Sequence, residues 1–276
     1  MEMLIKESHA SDLQSVRAAL ASPVVFIPTM GALHHGHAEL IRHGASLSKS
    51  VIVSIFVNPL QFEDPEDLAK YPKQLEADRK IALDAGASFI WAPSFNEVYP
   101  DEIERIPSGR IGTILEGASR SGHFDGVLTV VKRLFESVQP SIAIFGEKDY
   151  QQLFLIKRLA KEMGVEIIAH PTVRDENGLA LSSRNARLSK EGKRVAAVIY
   201  RALTLASRSD TPHAAMHDAI AKEKDFTLDY AKVIDEESFD LVGDENRDTT
   251  IQRRALIAGW VEGVRLIDNM RIESAS

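Results

Sequence analysis

The 276-residue sequence contains no cysteine. This absence excludes disulfide bonds, a catalytic thiolate and any metal site built on cysteine. The sequence also lacks the ~20 consecutive apolar residues that span a bilayer, so we expect no membrane association. Residues 1–7 carry acids and lack a continuous apolar segment, which is not typical of a secretory signal. A cytoplasmic enzyme is therefore the expectation.

The chain has fewer basic than acidic residues. The chain has 33 Lys and Arg against 40 Asp and Glu, for a net charge of −7. Proteins that bind duplex nucleic acid usually have a basic surface, so we expect no nucleic-acid partner. If the protein binds phosphate, it must do so through a few local cations. The length of the chain allows one large domain or two of ordinary size.

Apolar runs of strand length alternate with helical patterns in the N-terminal part of the chain. The clearest helix has its apolar residues at 127, 130, 131, 134, 135 and 138, one stripe at a period of 3.6. Strands that alternate with helices indicate a parallel sheet, in which ligands bind beyond the carboxyl ends of the strands. We predict strands at 24–27, 51–57, 88–91, 142–145 and 165–169, with helices at 37–48, 75–86, 127–138 and 149–163.

The pattern changes after Ser189. We predict helices near 189–207 and from Thr211 onward, followed by strands at 228–234 and 255–261. This texture is typical of a second, smaller α+β domain. The predicted domains are residues 1–173 and 174–276.

The loop after the first predicted strand contains two histidines, His34 and His37, with Gly36 between them. Both rings can face one ligand, while the glycine lets a flat ring or a phosphate approach the backbone. The alternatives are a capping loop with exposed histidines or an adventitious metal site. Zinc is disfavoured because no carboxylate or cysteine nearby completes the ligand set.

A lysine follows the strand that ends at Phe145. Lys148 lies where a helix begins, so its ammonium could neutralise a phosphate that the helix N-terminus attracts. The structural alternative is a capping box formed by Asp149 and Gln152, which needs no ligand.

Two further motifs are weaker signals. Leu181–Asn185 offers two hydroxyls and a guanidinium, a common pattern for binding polyphosphate, although it could be a solvated loop. The amides of Asn58 and Gln61 could bind a small polar substrate, although Asn58-Pro59 could be a simple turn. Together the four motifs predict one cleft with a triphosphate site that lacks the Walker pattern.

Five segments resemble the pantoate–β-alanine ligase (pantothenate synthetase) family, in order and at similar spacing from Pro28 to Leu188. They are Pro28–His37, Ser54–Phe62, Gly122–Val127, Phe145–Gln152 and Leu181–Asn185. The resemblance implies a Rossmann-like α/β domain of the nucleotidyltransferase superfamily, related to class I aminoacyl-tRNA synthetases. It also implies a smaller α+β C-terminal domain that closes over the active site, and a homodimer.

The resemblance further implies the reaction. The family activates (R)-pantoate with ATP and Mg²⁺ to pantoyl adenylate and pyrophosphate, and β-alanine then attacks to give pantothenate and AMP. No protein nucleophile is required, which is consistent with the absence of cysteine. The protein must chiefly hold the reactants in line and neutralise the charge that grows in the transition state.

Site residues are likewise implied by the resemblance, at the matching positions. The implied catalytic residues are His34, His37, Lys148 and Arg184, with His37 as the proton donor. The implied nucleotide site consists of Met30, Gly31, Ala32, Leu33, His34, His35, Gly36, His37, Gly146, Glu147, Lys148, Asp149, Val173, Leu181, Ser182, Ser183 and Arg184. Gln61 and Gln152 would bind pantoate, with Gln61 also bordering β-alanine, and Asn58, Tyr71, Arg120 and His123 are further substrate-site candidates. Mg²⁺ would be held mainly by the phosphates, with Asp78 as a candidate helper.

Three residues depart from the family pattern. His35 stands where the family often has Glu, Leu181 where it often has Met, and Ser121 where it often has Pro. Leu for Met conserves apolar volume, whereas Ser121 could loosen the loop before His123. Two other functions are also compatible with the motifs: a different adenylyltransferase of the same superfamily, and a nucleotide-sensing module without catalysis. The amides of Asn58, Gln61 and Gln152 argue against the sensor, which needs no second polar pocket.

Overall fold

The computed structural model describes residues 10–246, 248 and 250–273. The chain divides into two units, of which the first runs to Pro171 and the second begins at Thr172. Residues 1–7, on which the expectation about a secretory signal depends, lie outside the described residues. Within the described ranges, no helix is long and apolar enough to cross a membrane.

A five-stranded parallel sheet organises the first unit. Its strands are β1 (Val24–Thr29), β2 (Ser50–Ile55), β3 (Phe89–Trp91), β4 (Ile142–Gly146) and β5 (Glu166–His170), in the spatial order β3-β2-β1-β4-β5. The chain builds outward from β1 to β3 and then crosses back to start β4 beside β1. The loops after β1 and β4 therefore meet at the topological switch point, where open α/β sheets bind ligands. The predicted parallel α/β sheet is confirmed.

Helices surround this sheet. They are α1 (Ala10–Ala19), α2 (His35–Leu47), α3 (Pro65–Ala69), α4 (Leu75–Asp84), α5 (Phe95–Val98), α6 (Glu116–Ser119), α7 (His123–Val138) and α8 (Tyr150–Met163). Short 3-10 turns lie at Pro59–Gln61, Arg110–Thr113 and Glu147–Asp149. The predicted helices at 37–48, 75–86, 127–138 and 149–163 are found as α2, α4, α7 and α8, whereas α1, α3, α5 and α6 were not predicted.

The core lies on both faces of the sheet. Val25 and Ile27 of β1 point to one face, where they pack with Ile41 of α2 in a fully buried cluster. Phe26 points to the other face and contacts Phe135 of α7 edge to face, with ring centroids 6.3 Å apart. Side chains that alternate between two covered faces explain why β1 and β2 are almost continuously apolar.

The second unit has three helices and an antiparallel sheet. The helices are α9 (Lys190–Ala196), α10 (Val198–Ala206) and α11 (Pro212–Ile220), after a 3-10 turn at Ser183–Arg187. The strands are β6 (Thr227–Asp235), β7 (Arg253–Val261) and β8 (Val264–Arg271), in that spatial order. The predicted α+β character is confirmed, but the single helix expected near 189–207 is two helices.

Strand β8 was not predicted, because polar side chains occupy two of its buried positions. Asp268 accepts two hydrogen bonds from Arg174, and Asn269 accepts one from Arg254. The Arg174 guanidinium also stacks on Tyr200, 4.7 Å from its ring centroid. These paired polar groups lie inside the fold but carry no apolar signal in the sequence.

Candidate active site

A left-handed turn connects β1 to α2. Gly31 has φ +80° and Ala32 has φ +52°, and a non-glycine residue in this region is uncommon. The carboxylate of Asp78, on α4, accepts hydrogen bonds from the backbone N–H of Ala32 at 3.0 Å and of Leu33 at 2.7 Å. This side chain therefore holds the turn that delivers the chain to the N-terminus of α2.

The two histidines cap α2 through their ring nitrogens. Nδ1 of His34 accepts a hydrogen bond from the N–H of Gly36 at 3.1 Å, and Nδ1 of His37 accepts one from the N–H of His34 at 3.3 Å. A neutral ring whose Nδ1 accepts carries its proton on Nε2. The ring centroids are 4.2 Å apart, so the N-terminus of α2 presents two adjacent Nε2–H donors. The capping interpretation of this loop is therefore confirmed, whereas the ligand-facing interpretation stays a prediction.

Burial keeps both rings neutral. It lowers the pKa of His37 to about 3, and the neighbouring His34 adds to this effect. Burial also lowers the pKa of His34, followed by the positive charge of Lys148. At pH 7 each ring can donate a hydrogen bond without carrying a positive charge. The expected role of His37 as a proton donor stays a prediction.

The loop after β4 faces these histidines. The charges of Lys148 and Asp149 both act on the pKa values of His34 and His37, Lys148 lowering them and Asp149 raising them. Nζ of Lys148 lies 3.4 Å from Oδ1 of Asp149. Asp149 makes no capping hydrogen bond through its side chain, so the capping box with Gln152, the alternative to a phosphate-binding role for this loop, is not formed.

A polar cluster, formed by Asn58, Gln61, Tyr99, Arg120 and His123, lies at the end of β2. Asn58 is buried, and its Nδ2 donates to Oε1 of Gln61 at 3.2 Å and to the Gly126 carbonyl at 3.0 Å. Its Oδ1 accepts from the N–H of Leu60 and from the Tyr99 hydroxyl.

These four bonds use the two donors and two acceptor positions of the Asn58 amide. Asn58 therefore orients Gln61 rather than reaching a ligand.

His123 holds the backbone of the same glutamine. Its Nε2 lies 2.9 Å from Nη1 of Arg120, and its Nδ1 lies 2.8 Å from the Gln61 carbonyl. Arginine only donates, so Nε2 accepts and Nδ1 carries the proton that is donated to the carbonyl. Arg120 thus fixes the tautomer of His123, and His123 fixes the position of Gln61.

Gln61 also connects two loops. Its Nε2 donates to Sδ of Met30, in the loop after β1, at 2.8 Å. This contact joins the polar cluster at the end of β2 to the turn that leads into α2.

Three residues of this site were not predicted: Tyr99, Gly126 and Gln151. Tyr99 follows α5 beyond the carboxyl end of β3. It could have been predicted from the rule that ligands bind beyond the carboxyl ends of parallel strands. A Cβ at Gly126 would lie 2.2 Å from the carbonyl oxygen of Leu60, so glycine lets α7 pack against the Pro59–Gln61 turn. Buried Gln151 bonds the backbone of Ile111, Ile114 and Glu116. It lies in the Phe145–Gln152 segment, but no role was predicted for it.

Gln152 and Tyr71 are both half-buried. Gln152 is the third residue of α8, in its first turn. The Tyr71 ring packs edge to face against Phe62, with centroids 5.8 Å apart, just beyond the Pro59–Gln61 turn.

In the second unit the remaining predicted residues lie on two adjacent segments. The N–H of Leu181 donates to the Val173 carbonyl at 2.9 Å. Oγ of Ser182 accepts from the N–H of Arg184 at 3.2 Å and so begins the 3-10 turn that contains Ser183. Arg184 is exposed. The structure brings these residues together within their own unit.

Across residues 10–246, 248 and 250–273, no group of three His, Asp or Glu side chains is arranged to hold a metal ion. Asp78 is 1 % exposed, and both of its oxygens accept backbone hydrogen bonds. The described residues thus form no protein cage for Mg²⁺. Mg²⁺ is usually carried by the phosphates of a nucleotide, and such an ion needs no cage of this kind.

Comparison with known proteins identifies the family. The family profile described as pantoate-beta-alanine ligase matches residues 5–271. The chain belongs to the pantoate–β-alanine ligase family. A pantothenate synthetase of Acidothermus cellulolyticus is 43 % identical over 273 residues, covering 96 % of this chain and 90 % of the relative. Members of this family are amide-forming ligases, so the enzyme class implied by the sequence motifs is confirmed.

Solved structures agree with this assignment. Pantothenate synthetase from Thermus thermophilus superimposes with a TM-score of 0.86 at 40 % identity, covering 96 % of this chain and 98 % of that one. The Francisella tularensis pantoate–β-alanine ligase has a TM-score of 0.81 at 37 % identity, with 99 % of each chain covered. The latter crystal structure is described as complexed with beta-gamma ATP and β-alanine. The fold class predicted from the sequence is confirmed.

Proposed function

We propose that this chain condenses (R)-pantoate with β-alanine in two steps, through a pantoyl adenylate, using ATP and releasing pyrophosphate and AMP. The observation that carries the proposal is the pair of Nε2–H donors at the N-terminus of α2. These donors face Lys148 at the switch point of the sheet. The Francisella tularensis relative, complexed with beta-gamma ATP and β-alanine, supports the same substrates here.

In the first step a carboxylate oxygen of pantoate attacks the α-phosphorus of ATP. The bond from this phosphorus to the bridging oxygen breaks, and pyrophosphate leaves with the electron pair. Negative charge grows on the phosphoryl oxygens and on the leaving group. Three groups are suited to stabilise this charge: the neutral Nε2–H donors of His34 and His37, the N-terminus of α2, and the Lys148 ammonium.

In the second step the amine of β-alanine attacks the acyl carbon of the adenylate. The amide bond forms, the bond to the phosphate oxygen breaks, and AMP leaves while the amine gives up its proton. The protein contributes chiefly by holding the two reactants together and excluding water.

Gln61 is proposed to hold pantoate and to border β-alanine. One of its two Nε2 hydrogens bonds to Met30, and one acceptor position of Oε1 bonds to Asn58, so one donor and one acceptor position remain for substrate. We therefore assign Asn58, Arg120 and His123 as positioning residues for Gln61. Gln152 and Tyr71 complete the proposed substrate site.

The proposed nucleotide site extends over both units. In the first unit it includes Met30–His37 and Gly146–Asp149. In the second it includes Val173 and Leu181–Arg184, with the positive charge of Arg184 directed to the phosphates when the smaller domain, proposed as residues 174–276, closes over the site. Mg²⁺ bound to the phosphates would neutralise charge on the leaving pyrophosphate. We further propose a homodimer that works in the cytoplasm.

Product analysis tests this function. Purified protein is incubated with ATP, Mg²⁺, pantoate and β-alanine. In two control reactions, either pantoate or β-alanine is omitted. We expect AMP, pyrophosphate and pantothenate in equal amounts only when both acids are present. Stoichiometric ADP would contradict the mechanism. Turnover with a nucleotide acceptor but not with pantoate would indicate another adenylyltransferase, and ATP binding without turnover would indicate a sensor.

A further inference from the structure

We propose that Asp78 is a positioning residue that clamps the nucleotide-binding turn, rather than a ligand of Mg²⁺. This inference rests on the proposed function, because it assumes that the turn from Met30 to His34 receives ATP. The clamp acts on the backbone, and so its effect on nucleotide binding does not depend on the metal ion.

The geometry of the turn supports the clamp. Ala32 adopts φ +52°, a left-handed conformation that is strained for a residue with a Cβ. The Asp78 carboxylate accepts from the N–H of Ala32 and from that of Leu33, one bond to each oxygen. Hydrogen bonds to a carboxylate are about twice as strong as neutral ones, so they can offset this strain.

Close packing leaves the carboxylate directly against the turn. A Cβ built at Gly31 would lie 2.9 Å from Oδ2 of Asp78 and 3.2 Å from a methyl carbon of Ile55. Gly31 is therefore required both by its φ of +80° and by the space that Asp78 fills.

The consequence reaches the two histidines. Leu33, whose N–H bonds to Asp78, directly precedes His34, the N-cap of α2. The position of the two Nε2–H donors thus depends on a side chain from α4, far away in the sequence. By contrast, a metal ion would have to reach a side chain that is 1 % exposed and compete with two backbone donors.

Nucleotide binding with and without Mg²⁺ separates the two roles. The affinity for ATP is measured by calorimetry in Mg²⁺ and in EDTA for the wild type, for Asp78→Asn and for the control Asp84→Asn. Asp84 lies on the same helix, is exposed and pairs with Lys80. Asparagine at 78 presents an NH₂ group to one of the two backbone donors, so the variant loses one bond and gains a repulsion.

For Asp78→Asn we expect ATP affinity to fall by about tenfold or more in both buffers, whereas Asp84→Asn stays within about twofold of the wild type. A loss confined to the Mg²⁺ buffer would overturn the clamp and make Asp78 a metal ligand. Unchanged affinity in both buffers would overturn it as well.

A second measurement needs no variant. Hydrogen exchange at the Ala32 and Leu33 amides of the wild-type protein is expected to be slow, because both N–H groups are bonded inside the fold. Exchange as fast as that of exposed amides would overturn the clamp even if Asp78→Asn failed to fold. If the wild type bound no ATP at all, the proposed function would fail, while slow exchange would still support the clamp.

Discussion

Replacement of Lys148 by alanine is expected to lower kcat for pyrophosphate release by about 10²- to 10³-fold, while KM for ATP changes by less than about threefold. The reason is that Lys148 faces the N-terminus of α2, where its charge already lowers the pKa of His34. A cation at that place is most valuable when negative charge grows on the α-phosphate and the leaving group. Steady-state kcat and KM are measured from AMP formation with both acids present. Stopped-flow detection of pyrophosphate from the single turnover that occurs without β-alanine then shows whether the loss lies in the adenylation step.

Lys157→Ala is the matched control. Lys157 lies on α8, nine residues after Lys148, and is exposed, so its removal changes the net charge equally without touching the loop after β4. We expect its kcat and KM to stay close to those of the wild type. A Lys148→Ala enzyme with unchanged kcat and a raised KM for ATP would contradict a role in the transition state, since it would show only ground-state binding.

Replacement of His37 by glutamine is the second change with a large expected effect. Glutamine at the third helical position is a normal partner in a capping box, so it can still accept the N–H of His34. It replaces the imidazole Nε2–H that we propose for the α-phosphate with a carboxamide NH₂, which takes a different position and direction when Oε1 accepts the backbone bond. We expect kcat for adenylation to fall by about 10²- to 10³-fold with the free energy of unfolding at pH 7 nearly unchanged.

His37→Ala removes both functions, so it should lose the same activity and about 1 kcal/mol of stability as well. His43→Gln, on the same helix and outside the proposed site, is the control for the substitution itself. Near-normal adenylation by His37→Gln would contradict the proposed role of the imidazole ring.

The same variant tests the neutral state of the ring. The pKa of His37 falls from 6.5 to about 3 on folding, so the unfolded chain binds a proton that the folded protein does not. Above pH 6.5 this difference contributes nothing. As the pH falls from 6.5 towards 3, it destabilises the fold by up to about 1.4 kcal/mol per pH unit. Urea unfolding at pH 7 and pH 5 should show a smaller loss for His37→Gln than for the wild type, and equal losses would contradict it.

Much of the fold could be predicted because it has local signals. Strands β1, β2 and β4 are apolar runs of strand length, and the apolar residues of α7 recur at the helical period of 3.6. Strand β8 could not be predicted, since its buried residues Asp268 and Asn269 are polar and pair with Arg174 and Arg254, which lie elsewhere in the sequence. Patterns report the environment of a residue, not its distant partners.

The site shows the same division. The motifs indicated which loops carry the chemistry, because the carboxyl ends of parallel strands share one edge of a sheet. They could not indicate that every donor and acceptor position of the Asn58 amide is bonded to protein groups. Nor could they indicate that His123 donates through Nδ1 to a backbone carbonyl. Nor could they pair Asp78 with the turn at Ala32, because the pairing depends on how α4 packs beside that turn. Roles that depend on backbone placement need the structure.

The fate of a labelled oxygen tests the central claim most directly. Pantoate with ¹⁸O in its carboxylate is converted with ATP and β-alanine, and the products are analysed by mass spectrometry. If pantoate attacks the α-phosphorus, one labelled oxygen must be found in AMP and none in pyrophosphate. AMP without label, or label in a released phosphate, would contradict the adenylate mechanism and with it the roles proposed for His37 and Lys148.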